Sequence, residues 1–288
     1  MDFFVTAFLQ GLGYASLAIG IFLSLRIFNI PDITTDGSYT LGGVITAVLL
    51  ASGTHPIITL VAAFTGGMVA GGLTGIFHTR FKINPLLAGI LVMTGLYSIN
   101  LYIMGRSNLP LINTKNIYNL FPFISSTASL WFVLILFSIT ILLLIVWLLK
   151  TDFGIAMRAT GNSEVMVRAQ GVNTGYMKIA GLALANGLTA ISGYLLTQYQ
   201  GFADINMGIG IVISGLGSVM IGEALLKPLL QRGIFYHVIA VVAGSIVFRL
   251  ILALALTLGL NPNFLKLVTA LIVLLIVGVS NTRKHANA

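Results

Sequence analysis

Charged side chains make up only 8 % of this 288-residue chain, so the places where they gather are informative. The first is GIAMRATGNSEVMVRAQG, residues 154–171, which carries Arg158, Glu164 and Arg168. The second is PDITTDGSYT, residues 31–40, where Asp32 and Asp36 stand among the hydroxyls of Thr34, Thr35, Ser38 and Tyr39. The third is ADINMG, residues 203–208, with Asp204 and Asn206 and with Ser214 shortly after it. Arg249 stands alone inside the apolar run GSIVFRLILALALTLG. Such groups suit recognition: a guanidinium fits a carboxylate, and carboxylates and hydroxyls fit polar solutes. Catalytic constellations are missing. There is no HExxH, no GxSxG and no paired His–Asp set in the apolar runs. With no cysteine and four scattered histidines, no metal site is expected, and no cofactor either. The chain has no GxxxxGK[ST] loop, so any ATP hydrolysis must come from another subunit. The expectation is a non-catalytic binding or transport protein.

These residues must be held by elements that live in lipid. The chain is 57 % hydrophobic with a mean hydropathy of +1.02, whereas soluble domains run near 45–50 % apolar and about 25 % charged. Its 32 glycines suit close helix packing in a membrane. The net charge of +8 does not form a basic face, which argues against a nucleic-acid partner. The opening MDFFVTAFLQGLGYASLAIG lacks a basic n-region and a cleavage site and reads as a retained first span.

A spanning helix needs about 20 apolar residues. Runs 3–25, 56–78, 86–104, 128–149, 179–199, 237–257 and 265–280 qualify, and 39–52 and 208–222 are short and Gly-rich. The predicted fold is an all-α polytopic membrane protein. It is one domain, 1–288, with about 8–10 membrane helices, two of them short and broken. Placing the tail NTRKHANA in the cytoplasm puts Arg26, Arg80, Lys82, Lys150, Arg158, Arg168, Lys178, Lys227, Arg232, Arg283 and Lys284 inside. Only Arg106, Lys115 and Lys266 then fall outside. The N-terminus is then outside, and 105–127 is a long outer loop.

The 150–178 connection is therefore cytoplasmic, and its second part predicts a short helix. Asn162 or Ser163 can cap it, Glu164 and Arg168 match the helix dipole and each other, and Gly171 stands where a left-handed cap is needed. So short a helix must pack on something: its own bundle, as an ordered loop, or another protein. The two Gly-rich runs both follow Asp-Ile and turn residues, and by this topology they enter from opposite sides. An inverted repeat with two broken helices fits that pattern. Irregular backbone at that depth must line a polar cavity, and open helix N-termini would offer N–H groups to a substrate carboxylate. Asp32, Thr34, Thr35, Asp36, Ser38 and Tyr39 are candidates at the first break, and Asp204, Asn206 and Ser214 at the second. The plainer readings are a helix cap for Asp36 or Ser38, an interfacial charge for Asp32 and an outer-loop charge for Asp204. Arg249 meets either a substrate carboxylate or an acid or carbonyl of a neighbouring helix. Asn100, Asn186 and Gln198 read as interhelical hydrogen-bonding amides; Tyr97, Tyr102, Tyr194 and Tyr199 read as an interfacial belt.

The run TDFGIAMRATGNSEVMVRAQGVNTGYMKIAGLALANGLTAISG resembles the cytoplasmic coupling segment of permease subunits of ABC importers of the branched-chain amino acid and ribose class. The shared pattern here is Phe153-Gly154, Arg158-Ala159, Gly161-Asn162, Arg168-Ala169 and Gly171. LRIFNIPDITTDGSYTLGGVITA (25–47) and GFADINMGIGIVISGLGSVMIGEALL (201–226) resemble the early and late Gly-rich segments of that class. Within it, Pro31-Asp32, Asp36-Gly37-Ser38, Gln200-Gly201-Phe202-Ala203-Asp204, Gly222-Glu223 and Gly259-Leu260-Asn261-Pro262 resemble the small-permease branch linked to aromatic amino acids. The resemblance implies an ATP-binding subunit docked on Arg158, Gly161, Asn162, Glu164, Arg168 and Gly171. It also implies an extracytoplasmic solute-binding lipoprotein, a second permease copy and a bacterial cytoplasmic membrane. The substrate implied is an amino acid; a nucleoside or sugar is the alternative within the class. An ion-coupled secondary transporter is the rival outside it and would place buried acids mid-span, whereas Asp32, Asp36 and Asp204 lie at span edges or breaks in this reading.

Overall fold

The computed structural model describes residues 3–112, 114–120 and 126–285. The rest of the expected outer loop, including Pro122, and the last three residues of the expected cytoplasmic tail lie outside the described residues.

All nine expected membrane segments are helices. They are α1 (Phe3–Gly13) with α2 (Ala15–Phe22), α3 (Thr34–Ala51), α4 (Pro56–Thr79), α5 (Pro85–Met104), α6 (Ser126–Lys150), α9 (Thr174–Gln200), α10 (Ile211–Leu225), α12 (Ile234–Thr257) and α13 (Leu265–His285). The connection between α6 and α9 forms α7 (Asp152–Asn162) and α8 (Glu164–Ala169), and α11 (Lys227–Leu230) follows α10. Helix starts follow local chemistry: His55 and Asn84 accept from the N–H two residues on, each with proline at the first helical position.

The first span is not one straight helix. α1 and α2 meet at a 40° bend, and a π-turn, Leu23–Ile27, follows α2. A bend in lipid frees carbonyls that water cannot reach. Three serines supply the donors: Ser245 to the Gly11 carbonyl (3.0 Å), Ser138 to Leu12 (3.1 Å) and Ser192 to Gly13 (2.8 Å). The bend is thereby tied to α12, α6 and α9.

α9 is the central post, with 72 % of its apolar window buried. It packs on α2, α3 and α4 at backbone contact distance. A Cβ on Gly42 would collide with the Ala190 carbonyl, and one on Gly193 with the Tyr39 carbonyl. Small residues let helices approach where hydrophobic burial gives no net drive.

The loops sort onto two faces. On one, β1 (Asn108–Pro110) pairs antiparallel with β2 (Phe202–Asp204), Asn108 opposite Asp204. Ile117 N–H donates to Gln198 there (2.8 Å). The other face carries α7, α8 and the residues after α2. Asn29, at φ 54°, donates to the Gly161 carbonyl (3.1 Å).

Candidate functional site

The two breaks meet inside the bundle. Asp36, in the first turn of α3, accepts from the backbone N–H of Gly210 and of Val212, both at 2.9 Å. It therefore closes the N-terminus of α10, where aligned peptide dipoles favour a negative charge. Gly208 lies so near the Asp36 carbonyl that a Cβ there would collide with it. The N-terminus of α3 is closed in the same way: Asp32 accepts from Thr34 N–H (2.9 Å). The expectation that both helix ends stand open to a substrate carboxylate is corrected, because two carboxylates of the chain already hold them.

Asp32 is the hub of a sealed network. Its other oxygen accepts from Asn186 Nδ2 (2.6 Å), and Ser38 Oγ donates to Asn186 Oδ1 (2.7 Å). Thr35 donates to the Asp32 carbonyl (3.1 Å), and Thr34 meets Thr74 of α4 at 2.7 Å. Asp32, Thr34, Thr35 and Ser38 are all buried, Asp32 to 4 % exposure. Neither an interfacial charge nor an open site describes Asp32. Asp32 stands in the break before α3 and Asp36 in the first turn after it, each with its carboxylate fully engaged.

Beside this network lies an aromatic stack that the sequence reading half anticipated. The Tyr14 and Tyr39 rings are stacked at 5.9 Å and 15°, and Tyr39 OH donates to Tyr14 OH (3.3 Å). Arg249 lies over the other element of the stack, its Cζ 3.5 Å from the Tyr14 centroid. A cation on a ring face is favourable by about 1–2 kcal/mol when desolvated. Of the expected partners of Arg249, an acid of a neighbouring helix is not found: among the described residues it makes no ion pair, and its charge rests on a ring. Tyr14 was missed because it reads as one more interfacial aromatic. Its place at the bend after Gly13 was the available signal.

Asp204 and Asn206 belong elsewhere. Asp204 accepts from Asn206 N–H (2.8 Å) and Asn108 Nδ2 (3.3 Å) in the hairpin. Ser214 stands in the first turn of α10, partly exposed. Tyr194, expected in an interfacial belt, is fully buried and donates to the Pro56 carbonyl (3.0 Å). Tyr102 is 89 % exposed. Asn100 donates to the Gly37 carbonyl (3.4 Å) and joins α5 to α3 as an interhelical amide.

On the other face, Ser163 caps α8 through Met166 N–H (3.5 Å), and Gly171 takes φ +82°. Glu164 pairs with Arg168 (3.2 Å) and with Lys178, and Arg168 Nε donates to Thr174 (2.8 Å). Val167 is buried against the bundle, while Val165 and Met166 are 82 % and 66 % exposed. Gly161 abuts the Ile27 carbonyl, where no side chain would fit. Arg158 and Asn162 do not join the exposed α8 surface; they line a cavity between α7 and the ends of α2, α10 and α12.

A family model described as branched-chain amino acid transport system / permease component matches residues 3–278. The tyrosine transport system permease protein of Clostridioides difficile is 36 % identical over 283 residues, covering 98 % of this chain and 92 % of that one. The galactofuranose transporter permease protein YtfT of Escherichia coli is 28 % identical, covering 93 % and 76 %. The autoinducer 2 import system permease protein LsrC of Salmonella typhimurium is 29 % identical, covering 72 % and 58 %. No solved structure matches. The ordered motifs, the helical bundle and a match over nearly the whole chain agree: the chain belongs to the branched-chain amino acid transport system permease family.

Proposed function

We propose that this chain is the transmembrane subunit of an ATP-driven importer and forms the pathway for an amino acid with an aromatic side chain. The observation that carries the coupling half is α8. A six-residue helix cannot persist alone in water, yet this one is capped, ion-paired and anchored by Val167 while it turns Val165 and Met166 to solvent. An exposed apolar pair on a rigid polar base fits a groove in a separate ATP-binding subunit. Closure of that subunit would reach the bundle through α7 and the Gly161–Ile27 contact. Basic residues gather on this face, so it is cytoplasmic, with the N-terminus outside and the C-terminus inside a bacterial cytoplasmic membrane. The hairpin face then receives substrate from an extracytoplasmic binding protein, and two permease copies flank the pathway.

The substrate half rests on Arg249 with the Tyr14–Tyr39 stack. An intramembrane guanidinium without an acidic partner is matched to a carboxylate, and the stacked rings offer a face to an aromatic side chain. The likeness to a tyrosine permease supports this reading over a sugar. Asp36 and Ser214 line the path at the start of α10, Asp204 and Asn206 stand at its mouth in the hairpin, and Asp32, Thr34, Thr35 and Ser38 hold its walls.

The test replaces both exposed residues, Val165→Asp with Met166→Asp, in the complex with ATPase and binding protein in lipid discs. ATP hydrolysis stimulated by loaded binding protein is expected to fall at least ~10-fold, as for loss of a small interface hot spot. Unchanged stimulation with intact assembly defeats the coupling reading.

A further inference from the structure

The cavity on the α7–α8 face carries chemistry that coupling does not use. Its volume is about 470 Å³, and Arg26, Arg158, Asn162, Glu223, Phe22 and His237 are among its lining residues. Arg158 lines the cavity with its guanidinium, and the Nε of the same side chain is buried without a hydrogen-bond partner, so the group is short of the hydrogen bonds that a buried charge needs. Arg26 holds one oxygen of Glu223, Oε2, and the Glu223 side chain is 16 % exposed. The rings of Phe22 and His237 stack at 6.2 Å and 27° on one wall. The cavity is rigidly framed, since Gly161 abuts the Ile27 carbonyl and Asn29 donates to the Gly161 carbonyl.

We propose that this cavity binds an α-amino acid as its zwitterion, from the cytoplasmic side. The proposal deepens the import reading and rests on it. The carboxylate of the ligand accepts from the guanidinium of Arg158, which lines the cavity. The ammonium donates to Glu223, and an aromatic side chain lies against the Phe22–His237 wall. A simple anion fits less well, because it leaves the Glu223 carboxylate facing it. The site stands apart from Arg249 and the Tyr14–Tyr39 stack, on the exit side of the bundle, so it is a product site where released substrate can rebind.

The test measures equilibrium binding of radiolabelled L-tyrosine to the permease–ATPase complex without binding protein, in discs of phosphatidylglycerol. Saturable binding is expected, weakened about 10- to 100-fold by Arg158→Gln and by Glu223→Gln, the range for a lost charge-assisted hydrogen bond. Tyramine, without a carboxylate, and 3-(4-hydroxyphenyl)propionate, without an ammonium, are expected not to compete. Where Arg158→Gln fails to assemble, Arg158→Lys keeps the charge, loses the planar guanidinium fork and is expected to weaken binding as well. Phosphatidylethanolamine carries the same pair of charges; if adding it to the discs abolishes tyrosine binding, the cavity is a lipid headgroup site and the proposal falls. Binding that survives both substitutions also overturns it. A complex that imports L-tyrosine with its binding protein but shows no binding without it overturns the product site and leaves the import reading standing. A complex that does neither overturns both.

Discussion

Asn186 ties α9 to the start of α3 with one amide. It donates to Asp32 and to the Leu182 carbonyl, and accepts from Ser38. Asn186→Leu would leave a buried carboxylate and a buried hydroxyl short of partners, a loss of about 3 kcal/mol or more. The expected outcome is a thermal transition in detergent well below that of wild type; an unchanged transition would mean that Asp32 finds another donor. Arg249 belongs to the same scale but a different role. Arg249→Gln keeps a polar side chain and removes the charge, so uptake kcat/KM for the amino acid is expected to drop at least ~10-fold, with the ATPase still assembled. Equal uptake by the variant would make Arg249 a structural residue. Asp32, Asp36 and Arg249 were legible in the sequence as residues that lipid does not tolerate without a reason. Their partners were not legible, because Asn186, Tyr14, Gly210 and Val212 come from distant parts of the chain.

Among the elements, the irregular ones carry the argument. The bend between α1 and α2 is held by hydroxyls from three other helices, and Ser138, Ser192 and Ser245 look like ordinary small residues until the bend is seen. The capping of α8 by Ser163 and Gly171 was readable locally, since caps depend on neighbours two or three residues away. Helix α7 was not singled out, and its link to the π-turn through Gly161 is a contact across more than a hundred residues. Gly161→Ala tests that link. The added methyl has no room against the Ile27 carbonyl, so α7 must shift. Stimulated ATP hydrolysis is expected to fall several-fold while the ATPase still co-purifies; full stimulation would place the transmission path elsewhere.

At the scale of the molecule, the loops divide into a hairpin face and a basic face, and the proposed direction across the membrane rests on the Lys and Arg count. The chain has no cysteine, so single cysteines report sidedness cleanly. Ser52→Cys, beyond α3, is expected to react with an impermeant maleimide in intact cells. Gln170→Cys, beside α8, is expected to react only after the membrane is opened. The opposite pattern would invert the topology. The sequence by itself determined the solvent, the order of the membrane segments, the caps of α8 and the family. These rest on composition and on spacing within one helix turn or one bilayer thickness. Only the tertiary structure decided that Asp32 and Asp36 close the two helix ends, that Arg249 rests on Tyr14, and that Arg158 faces a cavity with Glu223. Each of those depends on which helices lie side by side, and in lipid that is set by glycine contacts and single hydrogen bonds rather than by any pattern along the chain.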